Sequence, residues 1–410
     1  MPKTRFDVHN KKSIKPPHGT VLVVFFWKEG ETMIYLDHSA TTKPDPAVLQ
    51  TFIQANERYY ANPASLHQMG VEANALLTRA REQIADIIKT SPEQIIFTSG
   101  GSESNNFAIK GFAKANKHRG TKILVSAIEH ASVLESAKAL EKEGFTVDTV
   151  DVDEHGVILI EDLKKKLTKD TVVVSIMHVN NEVGAVQPIT EIAQIVHQYS
   201  RAFYHMDAVQ SFGKIPVQFN EENGPDAITI SGHKINALKG SGLLALRKQV
   251  NINPIIHGGG QEMGFRSGTV AVPQDVALAK AARLAIEKQP QKAVQFSKWR
   301  DDLHEYFKQF PYVHVLSSSQ GAPHIVSCAV QGLKGEILVN AMQHEGIIIS
   351  TSSACSSKDH TVSHVVHAIK VDPSYEKGVI RMSLGEGICE ADIASFKTAF
   401  SKVMHQVKEM

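Results

Sequence analysis

The chain has 410 residues, 44 Lys plus Arg against 43 Asp plus Glu, and 42% apolar residues. That length allows one or two domains with a sizeable core, and the even charge balance offers no basic excess for nucleic acid. No apolar run is long enough to cross a bilayer, and three cysteines, Cys328, Cys355 and Cys389, are too few for a disulfide framework or a Cys-rich zinc site, which favours a reducing, cytoplasmic setting.

Residues 1–32 hold a basic, Pro-containing stretch and then "VLVVFFW", superficially the n- and h-regions of a secretory signal, but no small-residue cleavage site follows. "KEGETM" follows instead, and Lys-Glu-Gly can be encoded by the purine-rich sequence that bacterial ribosomes bind ahead of a start codon. Met33 is therefore expected to be the native start and residues 1–32 a translated leader, with a transit peptide as the lesser alternative. From Ser65 to Lys89 the apolar residues Val71, Leu76, Leu77, Ile84, Ile87 and Ile88 recur at helical spacing and predict one long amphipathic helix. Six β-rich runs then alternate with helical patterns: "QIIFTSGG", "KILVSAIEH", "TVVVSIMHVNNEVG", "AFYHMDAVQ", "AITISGHK" and "GLLALRK". Near-continuous apolar strands separated by helices predict a mainly parallel α/β sheet covered on both faces. Lys288 to Phe310 is charged and helical in pattern, and predicts a boundary to a smaller α+β domain.

In open α/β sheets, ligands bind beyond the carboxyl ends of the strands. The residues there are Ser99 to Ser104, then Glu129 and His130, then Asn180 and Asn181, then Asp207 and Gln210, and last Ser231, His233 and Lys234. Any one of these alone reads as a solvated loop residue; hydroxyls, an imidazole, amides, a carboxylate and an amine on one sheet edge do not. The set suits a cofactor with a phosphate, a pyridine nitrogen, a phenolic oxygen and an aldehyde. Glycines ahead of "SESNNFAIKGFAKA" present backbone N–H groups and Ser102 to the phosphate at a helix N-terminus. Asp207 would keep a pyridine nitrogen protonated, His130 could lie on the ring, and Gln210 or Asn181 could donate to the phenolic oxygen. Lys234, desolvated at a strand end, would present the neutral amine that condenses with an aldehyde. The cofactor expected is pyridoxal 5′-phosphate (PLP). "HGGG" at 257–260 also fits an esterase oxyanion loop, but the chain has no G-x-S-x-G elbow.

The ordered motifs "YLDHSATTKPDP", "NPASLH", "FTSGGSESNNFAIKG", "IEHASVL", "SIMHVNNEVGAVQPI", "HMDAVQSFGKIP", "SGHKINALKGSGLLAL", "GGGQEMGFRSGT", "STSSACSS" and "IRMSLG" run from Tyr35 to Gly385. Together they resemble the cysteine desulfurases of the NifS/IscS group, in the class V aminotransferase family of fold-type I PLP enzymes. The resemblance implies a mainly parallel seven-stranded sheet with helices on both faces plus a smaller α+β domain. Residues 33–47 and 291–410 would form the small domain and residues 48–290 the large one. It implies that Lys234 carries PLP, that Asp207 pairs with the pyridine nitrogen and that His130 stacks on the ring and serves acid–base steps. Asn181 and Gln210 would face the ring oxygen and the substrate. Gly101, Ser102, Ser231 and His233 would form the phosphate cup, with Thr269 reaching in from a second subunit of an obligate homodimer. Arg381 would grip the substrate carboxylate with its planar fork.

Cys355 lies in "STSSACSSKDH", a small, polar, aperiodic run beside Lys358 and several histidines, which favours a reactive thiol over a packing one. The implied reaction takes sulfur from L-cysteine: the Lys234 amine or His130 removes the α-proton, Cys355 takes the sulfur as a persulfide, and alanine is left. The persulfide would pass to an acceptor, an iron–sulfur scaffold or a tRNA-thiolation enzyme. Cys328 alternates within the β-like "PHIVSCAV" and reads as core; Cys389 carries no assignment. Two departures from the family pattern are visible: Ser352 or Ser353 replaces a usual glycine, and the chain stops at Met410 without the tail many relatives use to dock a scaffold. The alternatives are a plain class V aminotransferase, a selenocysteine lyase, or a PLP-binding scaffold or regulator without turnover. His360, His364 and His367, with Cys355 and Asp359, also have the spacing of a zinc set; the lesser reading there is a metal, and none is expected.

Overall fold

The computed structural model describes residues 33–217, 219, 224–247, 250–351 and 362–408. The expected leader, 1–32, lies outside the described residues, as do Ser352, Ser353, Cys355, Lys358, Asp359 and His360. The fold begins with the short strand β1 (Ile34–Tyr35), helix α1 (Pro46–Arg58) and helix α2 (Gln68–Ile88). Helix α2 is the long amphipathic helix expected from the periodicity, with the His67 ring accepting from Gly70 N at its start.

Strands and helices then alternate: β2 (Ile95–Thr98), α3 (Gly101–Ala115), β3 (Lys122–Ser126), α4 (Ala131–Glu141), β4 (Thr146–Val150), α5 (Ile160–Lys166), β5 (Thr171–Ser175), α6 (Ile189–Tyr199), β6 (Phe203–Asp207), β7 (Ala227–Ser231) and β8 (Gly242–Leu246). They build a seven-stranded sheet in the order β2-β8-β7-β6-β5-β3-β4. Only β8 runs against its neighbours, pairing antiparallel with both β2 and β7. Because side chains alternate along a strand, Ile96, Ile123, Val125 and Val173 pack on one face with α3 and α4, while Ile95, Phe97, Leu124 and Val174 pack on the other with α2, α6 and α7 (Val272–Phe307). The strand that residue patterning does not single out is β4, "TVDTV". It is an edge strand whose side chains stay largely accessible, so it lacks the apolar run that marks the buried strands.

The rest of the chain comprises β9 (Val313–Val315), β10 (Ile325–Val330), α8 (Gly335–His344), β11 (Ile347–Ile348), β12 (Ser350–Thr351), α9 (His364–Ala368), β13 (Val379–Ser383) and α10 (Glu390–Lys408). A four-stranded antiparallel sheet, β12-β13-β10-β9, holds a separate core with Trp299, Phe307, Phe396 and Phe400. The first residues of the fold also belong there: β1 pairs with β11, and Leu36 is fully buried in that core. The charged stretch Lys288–Phe310 is largely the second half of the 36-residue helix α7, which continues through Pro290. Its first half presents Ala277, Leu278, Ala281 and Ala282 to the large sheet, and its second half presents Phe296, Trp299, Leu303 and Phe307 to the small one. Cys328 sits in β10 with no exposure, and burial pushes its thiol pKa far up, so it packs as expected. Cys389 is exposed just ahead of α10.

Candidate active site

The carboxyl ends of β2, β3, β5, β6 and β7 all open on the same edge of the sheet. At the end of β6, Asp207 is buried at 4% exposure, its Oδ1 accepting from Val209 N at 2.9 Å and its Oδ2 from Asn105 Nδ2 at 2.8 Å. Past β7 the backbone makes a short 3-10 turn, which delivers Lys234. Its Nζ donates to Ser39 O and, at 2.8 Å, to Ala40 O. Gln210 is buried with Nε2 donating to that same Ser39 O at 3.0 Å, while its Oε1 accepts from Lys214 Nζ at 3.0 Å. Burial, aided by Lys234 and Arg381, lowers Lys214 to about 7.

His130 caps α4, with Ser132 N donating to its Nδ1 at 3.1 Å and Ser132 Oγ 2.8 Å from the same nitrogen. Burial lowers its pKa, with Lys234 and His364 acting in the same direction and Asp207 opposing. Beside it, Glu129 Oε1 accepts from Ser126 Oγ and Met177 N, its Oε2 has no partner, and burial pushes its carboxyl up to about 8. His233 has its Nδ1 3.1 Å from Thr41 Oγ1, and burial with Lys234 lowers it to about 4.

The N-terminus of α3 follows Gly100, whose φ of 146° is a conformation open to glycine alone. A Cβ added to Gly101 would stand 3.0 Å from Val209 Cγ2 and 3.5 Å from Ser231 Cβ, so the helix start, β7 and the loop after β6 meet closely there. Ser102 is exposed in the first helical turn. Arg381 arrives from the other sheet, 3% exposed, its Nη2 on Asp37 Oδ1 at 2.7 Å and its Nη1 on Asn181 O at 2.8 Å. Its buried Nε has no partner.

Thus Lys234, Asp207, His130, Gln210, Ser231, His233, Gly101, Asn181 and Arg381 gather in one region, and the first four share partners or fields. Thr269 is exposed, on a loop tied to α3 through Arg266 Nε and Glu103 Oε1 at 2.8 Å. Of the two asparagines after β5, Asn180 is consumed by the backbone: its Nδ2 holds Ile128 O and its Oδ1 accepts from Glu182 N and Val183 N. His364 Nε2 lies 2.9 Å from Glu129 O; Cys355, Asp359 and His360 of the weighed zinc set lie outside the described residues, and among the described residues no group of His, Cys, Asp and Glu is arranged to hold an ion.

Asn105, Ser132, Lys214, Ser39 and Asp37 also serve this region, and all lie inside the ordered motifs without standing out by residue type. Asn105, Ser39 and Asp37 find partners distant in sequence, so spacing carries no signal of those pairings, whereas Ser132 and Lys214 also bond His130 and Gln210 two and four residues away.

The donor set fits PLP on this structure's own evidence. A buried carboxylate is already oriented by two donors, an amine lies on the same segment as an amide, and a close-packed glycine cradle opens a helix start with no side-chain cap. The unpartnered Nε of Arg381 adds a buried cationic donor for a second anion.

A family model described as "Aminotransferase class-V" matches residues 34–396. The chain is 40% identical over 382 residues to the "NifS/IcsS protein homolog" of Lactobacillus delbrueckii subsp. bulgaricus, covering 91% of this chain and 99% of that one. It is 38% identical over 377 residues to "Cysteine desulfurase IscS" of Dictyoglomus turgidum, covering 92% and 95%. A solved "NIFS-LIKE PROTEIN" superposes with a TM-score of 0.86 at 36% identity, covering 91% of this chain and all of that one. The chain belongs to the class V aminotransferase family of fold-type I PLP enzymes, in its NifS/IscS branch.

Proposed function

We propose that the chain is a PLP-dependent cysteine desulfurase, converting L-cysteine to L-alanine and leaving the sulfur as a persulfide on Cys355. The observation that carries this reading is the short segment Asp37–Ala40: it holds Arg381 through Asp37 and Lys234 through Ser39 and Ala40. An amine and a carboxylate grip tied to one segment suit an α-amino acid. Each residue role below is part of the proposal.

PLP would be attached at Lys234, with Asp207 on its ring nitrogen, His130 on its face, and Gln210 and Asn181 toward its phenolic oxygen. Gly101, Ser102, Ser231 and His233 would hold its phosphate, joined by Thr269 from the second subunit of a homodimer. When bound, PLP supplies an electron sink for charge released at the substrate α-carbon. Asp207, kept in place by Val209 N and Asn105, stabilises the positive end of that sink. Arg381 orients the substrate carboxylate with a forked, charge-assisted contact. Either the Lys234 amine or His130 takes the α-proton. The Cys355 thiol takes one sulfur and the substrate carbon keeps the bonding electrons, so thiol plus cysteine balance as persulfide plus alanine.

Two further proposals complete the reading. The sulfur passes to an iron–sulfur scaffold or a tRNA-thiolation enzyme in the cytoplasm, and residues 33–47 with 291–410 act as a smaller unit against 48–290. The test is incubation with L-cysteine alone, with alanine quantified and peptides mapped by mass. One added sulfur at Cys355 is expected; alanine without that sulfur, or transamination surviving in Cys355→Ser with sulfur transfer intact, overturns the assignment.

A further inference from the structure

Four polar side chains on three elements form a continuous line from Asp207 to His130. Asn105, on α3 and 1% exposed, places Nδ2 at 2.8 Å from Asp207 Oδ2 and at 2.9 Å from Ser132 Oγ. Ser132 Oγ then lies 2.8 Å from His130 Nδ1. The assignment starts from the groups that can only donate or only accept. Turning the Asn105 amide over would set its oxygen against a carboxylate oxygen, so both N–H bonds face Asp207 and Ser132. The amide oxygen is left buried without a partner, a cost taken to donate twice. Ser132 Oγ accepts from Asn105, which frees its own proton for His130 Nδ1. The Ser132 backbone N–H, which can only donate, points at the same nitrogen from 3.1 Å.

From this we infer that Asn105 and Ser132 are positioning residues that fix His130 as the tautomer protonated on Nε2 and tie its ring to the Asp207 carboxylate. The Ser132 backbone N–H, an obligate donor, requires a lone pair on Nδ1, so the neutral ring carries its hydrogen on Nε2 and the Ser132 hydroxyl is left to donate. In that form Nε2 has no lone pair with which to abstract a proton; it offers an N–H to whatever lies before it. Protonating Nδ1 would press its hydrogen against the Ser132 backbone N–H, which opposes the imidazolium in the same direction as burial does. The charged and titratable groups facing the ring are Asp207 from the end of β6, Lys234 from beyond β7 and His364 from α9; Ser132 and Asn105 act on it independently of those charges.

The tautomer is measured on protein without substrate, so its failure and that of the desulfurase reading are distinguishable. Nitrogen NMR of ¹⁵N-histidine-labelled protein, with the His130 signals assigned by their loss in His130→Gln, is expected to show an unprotonated Nδ1 and a protonated Nε2. The imidazole titration midpoint in Ser132→Ala is expected to rise by about 0.7 pH unit, the equivalent of one neutral hydrogen bond, and Ser132→Thr should restore it. A protonated Nδ1 in the unaltered protein overturns the inference, and so does a Ser132→Ala midpoint equal to that of the unaltered protein. Alanine production from cysteine tests the other reading independently.

Discussion

Arg381→Lys separates charge from geometry at the proposed carboxylate grip. The guanidinium bonds Asn181 O at 2.8 Å and Asp37 Oδ1 at 2.7 Å and still has a buried Nε without a partner. A lysine keeps the positive charge opposite Asp37, but one ammonium nitrogen cannot reach both protein oxygens and also meet a carboxylate in a plane. The expected loss is one charge-assisted hydrogen bond to the substrate, about 1.5–3 kcal/mol, which at about 1.4 kcal/mol per decade is roughly a 10- to 150-fold rise in KM. Initial rates of alanine formation over a range of L-cysteine would measure it. Cysteamine, which lacks the carboxylate, should be handled equally poorly by the variant and the unaltered enzyme. An unchanged KM for cysteine, or a cysteamine rate sensitive to the substitution, would refute the assignment of Arg381 as the carboxylate grip.

Lys234→Ala should remove both activity and the visible absorption that develops when the protein is supplied with PLP; a retained covalent chromophore would place the attachment elsewhere. Glu129→Gln should flatten the pH dependence of stability. Burial raises this carboxyl from its ordinary 4.5 to about 8, so between those values the folded chain holds a proton that the unfolded chain has lost. Its contribution is therefore complete below about 4.5 and is lost as pH rises to about 8; denaturant melts across that window should show the variant gaining on the unaltered protein. Phe400→Ala, at a fully buried ring packed on Phe307, Phe310 and Phe396, should cost about 3–5 kcal/mol and lower the midpoint of chemical unfolding.

Much of this architecture is legible in residue patterns, and the gaps have physical causes. The strands β2, β3, β5, β6, β7 and β8 announce themselves because burial on both faces demands unbroken apolar runs. The edge strand β4 does not, since water takes up its outer side and Asp148 is tolerated there, paired with Lys122. The stretch after Lys288 looks like a boundary because a helix that changes cores halfway has no single apolar stripe, and Pro290 interrupts the pattern without ending the helix. At the site, the polar groups expected at the strand ends are where β-sheet topology puts them. What spacing could not convey is division of labour. Asn180 and Asn181 are neighbours in sequence, yet the first is spent on its own loop. Asn105 serves Asp207 from 102 residues away.

The pairing of Ile34 with Ile347, and the grip of Asp37 on Arg381, also dictate when the protein can become an enzyme. A ribosome must release nearly the whole chain before the opening strand finds its mate, since closing so long a loop precedes any contact that rewards it. Until then the segment that orients Lys234 is held only from the large-sheet side, by Gln210 and by the backbone of His233. A nascent chain stalled before residue 347 would carry Lys234, Asp207 and His130 and still lack the strand mate and the arginine that complete their surroundings.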